Sequence, residues 1–196
     1  RGVKLAACGG EDIHIGGLAG VPALFAALHP NSDALVETVL THVGLTHRSA
    51  DVLNAASALT LMLQDVEAGV PLRQTILTRG NSWVSERKFN RWIEEPDTVV
   101  IGERLSPACY VRDAFPAALY LAWKYADDFD GGIIANAHAG GDNCHRGVVL
   151  GSLLAMKNGI HSRWLQKLKV RPQENHVDYH RVTQSPRKPQ SQESTL

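Results

Sequence analysis

The sequence predicts an all-α protein, and three observations carry that expectation. Apolar residues recur at intervals of three and four in several segments, each bounded by capping or breaking residues. No convincing strand-type alternation is present, and only a few β-rich pieces such as TVVIG at 98–102 interrupt the helical pattern. A length of 196 residues with 44% hydrophobic content suits one domain with a full-sized core. Six to eight helices are expected in a helix-on-helix architecture.

Taken in order, residues 1–20 have a loop composition, with Gly9, Gly10, Gly16, Gly17 and Gly20 around Glu11, Asp12 and His14. LAGVPALFAALH follows as a short helix that tolerates Pro22 in its first turn. His29-Pro30 ends it, and Ser32 is a cap for the next helix, whose Leu35, Val36, Val39, Leu40 and Val43 have helical spacing. The longest periodic segment is THRSADVLNAASALTLMLQDVEAG. Its apolar stripe is Leu53, Ala56, Leu59, Leu63 and Val66, and Gly69 is its stop. Shorter helices are expected at Leu72 to Leu77 and near 85–94. CYVRDAFPAALYLAWKYADD reads as helix through Ala114, Ala117, Ala118, Leu121 and Ala122, with Asp113 as a cap three residues before Pro116. IIANAHA forms a short helix, and a tightly packed interior helix runs from Asn143 or Cys144 to about Lys157.

Charge and cysteine content narrow the function classes. Lys and Arg balance Asp and Glu, 20 against 20, so net charge favours neither nucleic acid nor an anionic membrane. The apolar runs are interrupted too often for a membrane span, and no secretory signal is visible. Cys8, Cys109 and Cys144 form neither a zinc-type pair pattern nor a disulfide framework, which points to a reducing, cytoplasmic setting. A helical domain over 1–168 is expected, followed by a polar, disordered tail at 169–196. Seven basic residues between Arg163 and Lys188 make a nucleic-acid arm the weaker reading of that tail, and a solubilising terminus the better one.

The chemistry concentrates in ANAHAGGDNCHRGVVLGSLLAMKNG. Gly140 and Gly141 permit a sharp turn and close approach of backbone. Asp142 then stands at a helix start, where it either caps free amides or presents a carboxylate to a cation. Gly147 and Gly151 keep the following helix thin enough for burial. Elsewhere, Arg112 and Asp113 read as surface and cap residues, and Asp127, Asp128 and Asp130 as a solvated acidic turn.

VPALFAALHP, the LTH at Leu45 to His47, DAFPAALYLA and the motif above, in that order, resemble the C-terminal two-thirds of an ADP-ribosylglycohydrolase-type domain over about residues 9 to 165. This family includes enzymes that remove ADP-ribose from dinitrogenase reductase, and a lens crystallin homologue. The resemblance implies a compact, orthogonal all-α bundle with two magnesium ions in a central cleft. It also implies hydrolysis of the glycosidic bond of an ADP-ribosylated small molecule or protein. Gly16, Gly17, Gly140 and Gly141 match substrate-contacting glycine stretches, and Arg146 is a candidate either for a phosphate of ADP-ribose or, as readily, for pairing with one of the nearby acids. The Thr46-His47 pair matches a structurally preserved site, where fixing helix packing by hydrogen bonds is the better reading and a substrate contact the weaker one.

Residue by residue, the family's final acidic motif is glycine, glycine, aspartate, any residue, aspartate, threonine. Gly140, Gly141 and Asp142 match, and Asn143 fills the free position. Cys144 stands where the second aspartate is expected and His145 where the threonine is expected. The implied metal residues are therefore Asp142, Asn143, Cys144 and His145, a set poorer in hard oxygen than magnesium prefers. A zinc site from Asp142, Cys144 and His145 or His138, a Cys144-His145 nucleophilic pair, a reactive helix-start thiol at Cys144 and a buried filler role for Cys144 are the other readings. The family's threonine-aspartate-aspartate stretch and catalytic acid precede the region matched here, and the chain opens on Arg1 without that part. The expected function is a divergent ADP-ribosylglycohydrolase-like hydrolase. The alternative is a catalytically inactive homologue with a binding or structural role.

Overall fold

Small and apolar residues at helical spacing produce ten α-helices among the described residues of this computed structural model, which describes residues 8–28 and 34–169. Helix α1 (Val21–Ala27) carries Pro22 in its first turn, where no N–H is missed. Helix α2 (Leu35–Gly44) buries Leu35, Val39 and Val43. Ser32, the expected cap before it, lies outside the described residues, as do residues 1–7 and the tail from residue 170 onward.

Helix α3 (Ala50–Glu67) is the central strut, and Ala56, Leu59, Leu63 and Val66 of the expected stripe are buried on it. Gly69 ends it in the left-handed region at φ 90, and Val70 N–H donates back to the Asp65 carbonyl at 2.8 Å. Helix α4 (Leu72–Arg79) returns beside it. There the Asp65 carboxylate accepts from Thr75 Oγ1 and, in a fork, from Arg79 Nε and Nη2. That fork holds the Asp65 carboxyl below its ordinary range, with burial opposing it.

Helix α5 (Glu86–Trp92) and the three-residue α6 (Asp97–Val99) lead into a π-type turn at Val100–Arg104. The TVVIG stretch is therefore not β-structure. β-Propensity spans only about 1 kcal/mol, whereas one hydrogen bond to a charged group contributes roughly 1.5–3 kcal/mol. The Asp97 carboxylate collects three such donors: Tyr120 Oη, Lys124 Nζ and Tyr125 Oη at 2.7–3.0 Å. This network pins the segment to the next helix. Burial first, then Asp97, raises both phenols, that of Tyr125 to about 12.

That next helix, α7 (Val111–Lys124), is buried through most of its length, from Ala114 to Trp123. It starts at Val111, ahead of the expected cap. The Asp113 carboxylate instead accepts from Ser106 N–H at 3.2 Å and so fastens the incoming loop. Helix α8 (Phe129–His138) begins at Asp128, whose side chain accepts from Gly131 N–H. Helix α9 (Asn143–Asn158) packs between α7, α8 and α3. Where α8 crosses it, a Cβ on Gly147 would stand 3.0 Å from Asn136 Nδ2, and one on Gly151 would stand 3.6 Å from Ile133. The small residues thus serve close helix packing. Among the described residues, no helix is long and apolar enough to cross a membrane.

The short α10 (Ser162–Leu165) docks on α8 through one carboxylate. Asp130 meets His161 Nδ1, Arg163 Nη2 and Trp164 Nε1, while Trp164 stands edge-on to Phe129. Only Asp130 of the acidic turn is largely covered; Asp127 and Asp128 stay exposed, as a solvated turn requires, while Asp127 pairs with Arg73 and Lys157 and Asp128 is a cap. The His161 hydrogen bond, and then that of Trp164, depress the Asp130 carboxyl from its ordinary value. A carboxyl lowered on folding stabilises the docked form above its unfolded pKa, about 3.9. That contribution is lost as pH falls through the lower folded value. Acidification below about pH 4 is expected to release α10 and red-shift Trp164 emission. Trp164→Phe identifies the signal, and Asp130→Asn should show the released spectrum already at neutral pH.

Candidate functional site at the glycine-loop end

Main-chain hydrogen bonds lash the glycine-rich loop of residues 9–18 across two helix junctions. Gly9 N–H donates to the Gly44 carbonyl, Gly10 N–H to that of Thr46, and Arg48 N–H to that of Gly10. On the other side Val111 N–H donates to the Ile13 carbonyl and Ile15 N–H to that of Cys109, both at 2.8 Å. The His14 ring stacks on Tyr110 with centroids 5.4 Å apart. The loop then closes in a 3-10 turn, Ile15–Leu18.

Within this loop Asp12 is the organising charge. Its Oδ1 accepts from His14 N–H at 2.9 Å, and its Oδ2 lies 3.7 Å from His47 Nε2. The His14 amide is the largest influence holding the Asp12 carboxyl below its usual range; the nearby histidines add to it. On its other face His47 Nδ1 pairs with Thr46 Oγ1 at 2.8 Å. The His47 ring also fills the space beside Gly17, where a Cβ would meet Cγ of His47 and Cγ1 of Val52 at 2.8 Å. Gly17 is buried for packing, and the Thr46-His47 pair takes part in that packing. Gly16 differs. A Cβ there would meet the His145 ring first, at 3.5 Å from Nε2.

The glycine bend brings that histidine to the loop. Gly140 and Gly141 lie at φ 67 and 63, a region open to glycine at little steric penalty. Beside Gly141 stands the Pro107 main chain, whose carbonyl accepts from Asp142 N–H at 3.0 Å. Asp142 is the N-cap of α9: its Oδ1 accepts from His145 N–H at 3.3 Å, and both its oxygens lie 3.0 Å from His145 Nδ1. The capping reading of Asp142 therefore describes its local role. Cys144 is exposed, with its Sγ 3.7 Å from Asn143 Oδ1, so it is not a buried filler.

Arg146 points inward and is fully buried. Its Nε donates to Asn136 Oδ1 at 2.6 Å, and its Nη2 donates to the Asn136 and Gly140 carbonyls at 3.1 and 2.8 Å. Asn136 Nδ2 donates in turn to the Asn143 carbonyl at 2.9 Å. This clamp ties the end of α8, the glycine bend and the first turn of α9 into one unit. It spends the guanidinium on one side-chain amide and two main-chain carbonyls, not on the phosphate or the nearby acid between which the sequence left it. Burial lowers the Arg146 pKa and the charge of Asp142 opposes that, while Nη1 is buried without a hydrogen-bond partner.

Of the sequence-derived candidates, Gly16, Asp142 and His145 meet at this end of the bundle. Gly17 and Arg146 support it from within, and Cys144 faces solvent. Asn136, Asp12 and Pro107 are contributors that sequence reasoning did not assign to the site. Asp12 alone had a signal, a carboxylate between glycines and two residues before a histidine.

Among the described residues, no three or more His, Cys, Asp or Glu side chains stand together as a metal-holding group. The residues at 142–145 also do not fit magnesium. That ion asks for near-octahedral oxygen ligands, and here one carboxylate is already engaged by an imidazole and an amide beside an outward-facing thiol.

The chain is thus an all-α bundle with a glycine-aspartate bend at the N-terminus of α9. The ADP-ribosylglycohydrolase family model matches residues 2–188, and the chain belongs to that family. No curated protein matches it. Membership supports a glycohydrolase-like function and implies ADP-ribosylated substrates.

Proposed function

We propose that this chain is a divergent ADP-ribosylglycohydrolase, one that takes ADP-ribosylated ligands where the glycine loop faces the start of α9 and does not depend on magnesium held by residues 142–145. Family membership supports the ligand class. The observation that carries the metal-independence is the Asp142 carboxylate, with both oxygens 3.0 Å from the His145 ring. A carboxylate so engaged is a poor start for a hard-cation centre, and neither neighbouring Cys144 nor His145 supplies oxygen.

Titration calorimetry with ADP-ribose tests this. Affinity is expected to be the same in magnesium and in EDTA to within about twofold, under about 0.5 kcal/mol. Affinity that requires magnesium and disappears in Asp142→Ala would overturn the reading.

A further inference from the structure

Between α1 and α2 the surface opens into a cleft of about 350 Å³. Leu24 of α1 lines it, together with Glu37, Thr38, Thr41 and His42 of α2 and the cap residue Leu45. The residues of α2 follow the spacing i, i+1, i+4, i+5 and i+8, so one face of the helix forms that wall. At about 1.5 Å of rise per residue, Glu37 and Leu45 stand about 12 Å apart along the axis. The cleft is therefore long, with a carboxylate at one end, a leucine at the other and two hydroxyls between them. The His42 ring lies against Gly20, where a Cβ would stand 2.7 Å from Nε2. The bare glycine gives that imidazole its place at the seam of the two helices.

The polar groups of this wall are uncommitted. Thr60 and Thr78 return their hydroxyls to carbonyls one turn back, and Asp51, Asp65, Asp97 and Asp130 each meet a cation. Among the described residues, the side chains of Glu37, Thr38, Thr41 and His42 have no hydrogen-bond or ion-pair partner.

We propose that the α1–α2 cleft is a binding site for a small organic cation, a primary ammonium carrying an apolar chain. An ammonium has three N–H donors and no acceptor. One carboxylate and two hydroxyls offer it matching acceptors. Its chain then runs along the groove and covers Leu24 and Leu45, removing apolar surface from water. A volume of about 350 Å³ lies at the small end of the range for such sites. An anion of the same shape would meet the Glu37 carboxylate as a like charge. This site is independent of the glycohydrolase reading.

Hexylammonium chloride is the test ligand, with hexan-1-ol and hexanoate as its neutral and anionic counterparts. Each is titrated at low salt into the full chain labelled at its leucine methyls. The Leu24 and Leu45 resonances are expected to shift saturably with hexylammonium, with a Kd of about 1 mM. Hexanoate should leave them unmoved. Glu37→Gln should weaken hexylammonium about fivefold and leave hexanol unchanged. Leu45→Ala, which also identifies one resonance, should weaken both. Glu37 and Leu45 are exposed, so neither substitution disturbs the core. Absence of saturable shifts at the two leucines, equal binding of hexanoate, or unchanged hexylammonium affinity in Glu37→Gln would each overturn the proposal.

Discussion

Gly141→Ala is expected to destabilise the protein by about 3 kcal/mol, lowering the melting temperature by about 10 °C. Two contributions add. A non-glycine residue in the left-handed region costs about 1 kcal/mol, and Gly141 lies at φ 63. The new methyl also overlaps the Pro107 main chain, lying 2.7 Å from its carbonyl carbon, and overpacking of that kind adds about 2 kcal/mol. The carbonyl has little room to retreat, because it accepts from Asp142 N–H. Gly140→Ala is the control. Its φ of 67 carries the same strain, but a Cβ there meets nothing within 4 Å. Urea denaturation should therefore show a gap of about 2 kcal/mol between the variants. Equal losses would mean that the Pro107 contact does not matter.

The second large effect is at Arg146. Lysine cannot span Asn136 Oδ1 and the Asn136 and Gly140 carbonyls, and it keeps a positive charge in the interior. Arg146→Lys is expected to lose about 3 kcal/mol. Arg146→Met leaves the same acceptors unpaired but removes the buried charge, together with the unpartnered Nη1. It should lose less than the lysine variant, although methionine is the less similar residue. Urea midpoints in the opposite order would show that the charge itself, paired with Asp142, is what stabilises this end of the bundle.

What was legible in the chain was local. The stripe along α3 follows from a 3.6-residue period, and its stop at Gly69 from one left-handed position. The bend at Gly140 and Gly141 and the capping by Asp142 are also short-range, so residue types alone point to them. Features that depend on distant partners were not legible. Asp113 reads as a helix cap until Ser106 is brought beside it. TVVIG reads as strand until three donors from α7 and the residue just beyond it converge on Asp97. Arg146 reads as a phosphate contact or an acid's partner because its interior acceptors, a side chain and two carbonyls, have no sequence signature. For the candidate site, sequence reasoning located the His145 position but not its geometry, since the glycine loop it faces lies near the other end of the described chain.

That separation also bears on the order of folding. Residues 9–18 and 142–145 meet only after the helices between them have collapsed, so the entropy of closing a long loop is lost before either segment gains its contacts. Helices α3 and α4 can pair early, while the glycine-loop face is expected to mature late. Whatever this face binds would then act as a staple between residues 9–18 and 142–145, slowing amide exchange in both segments at once.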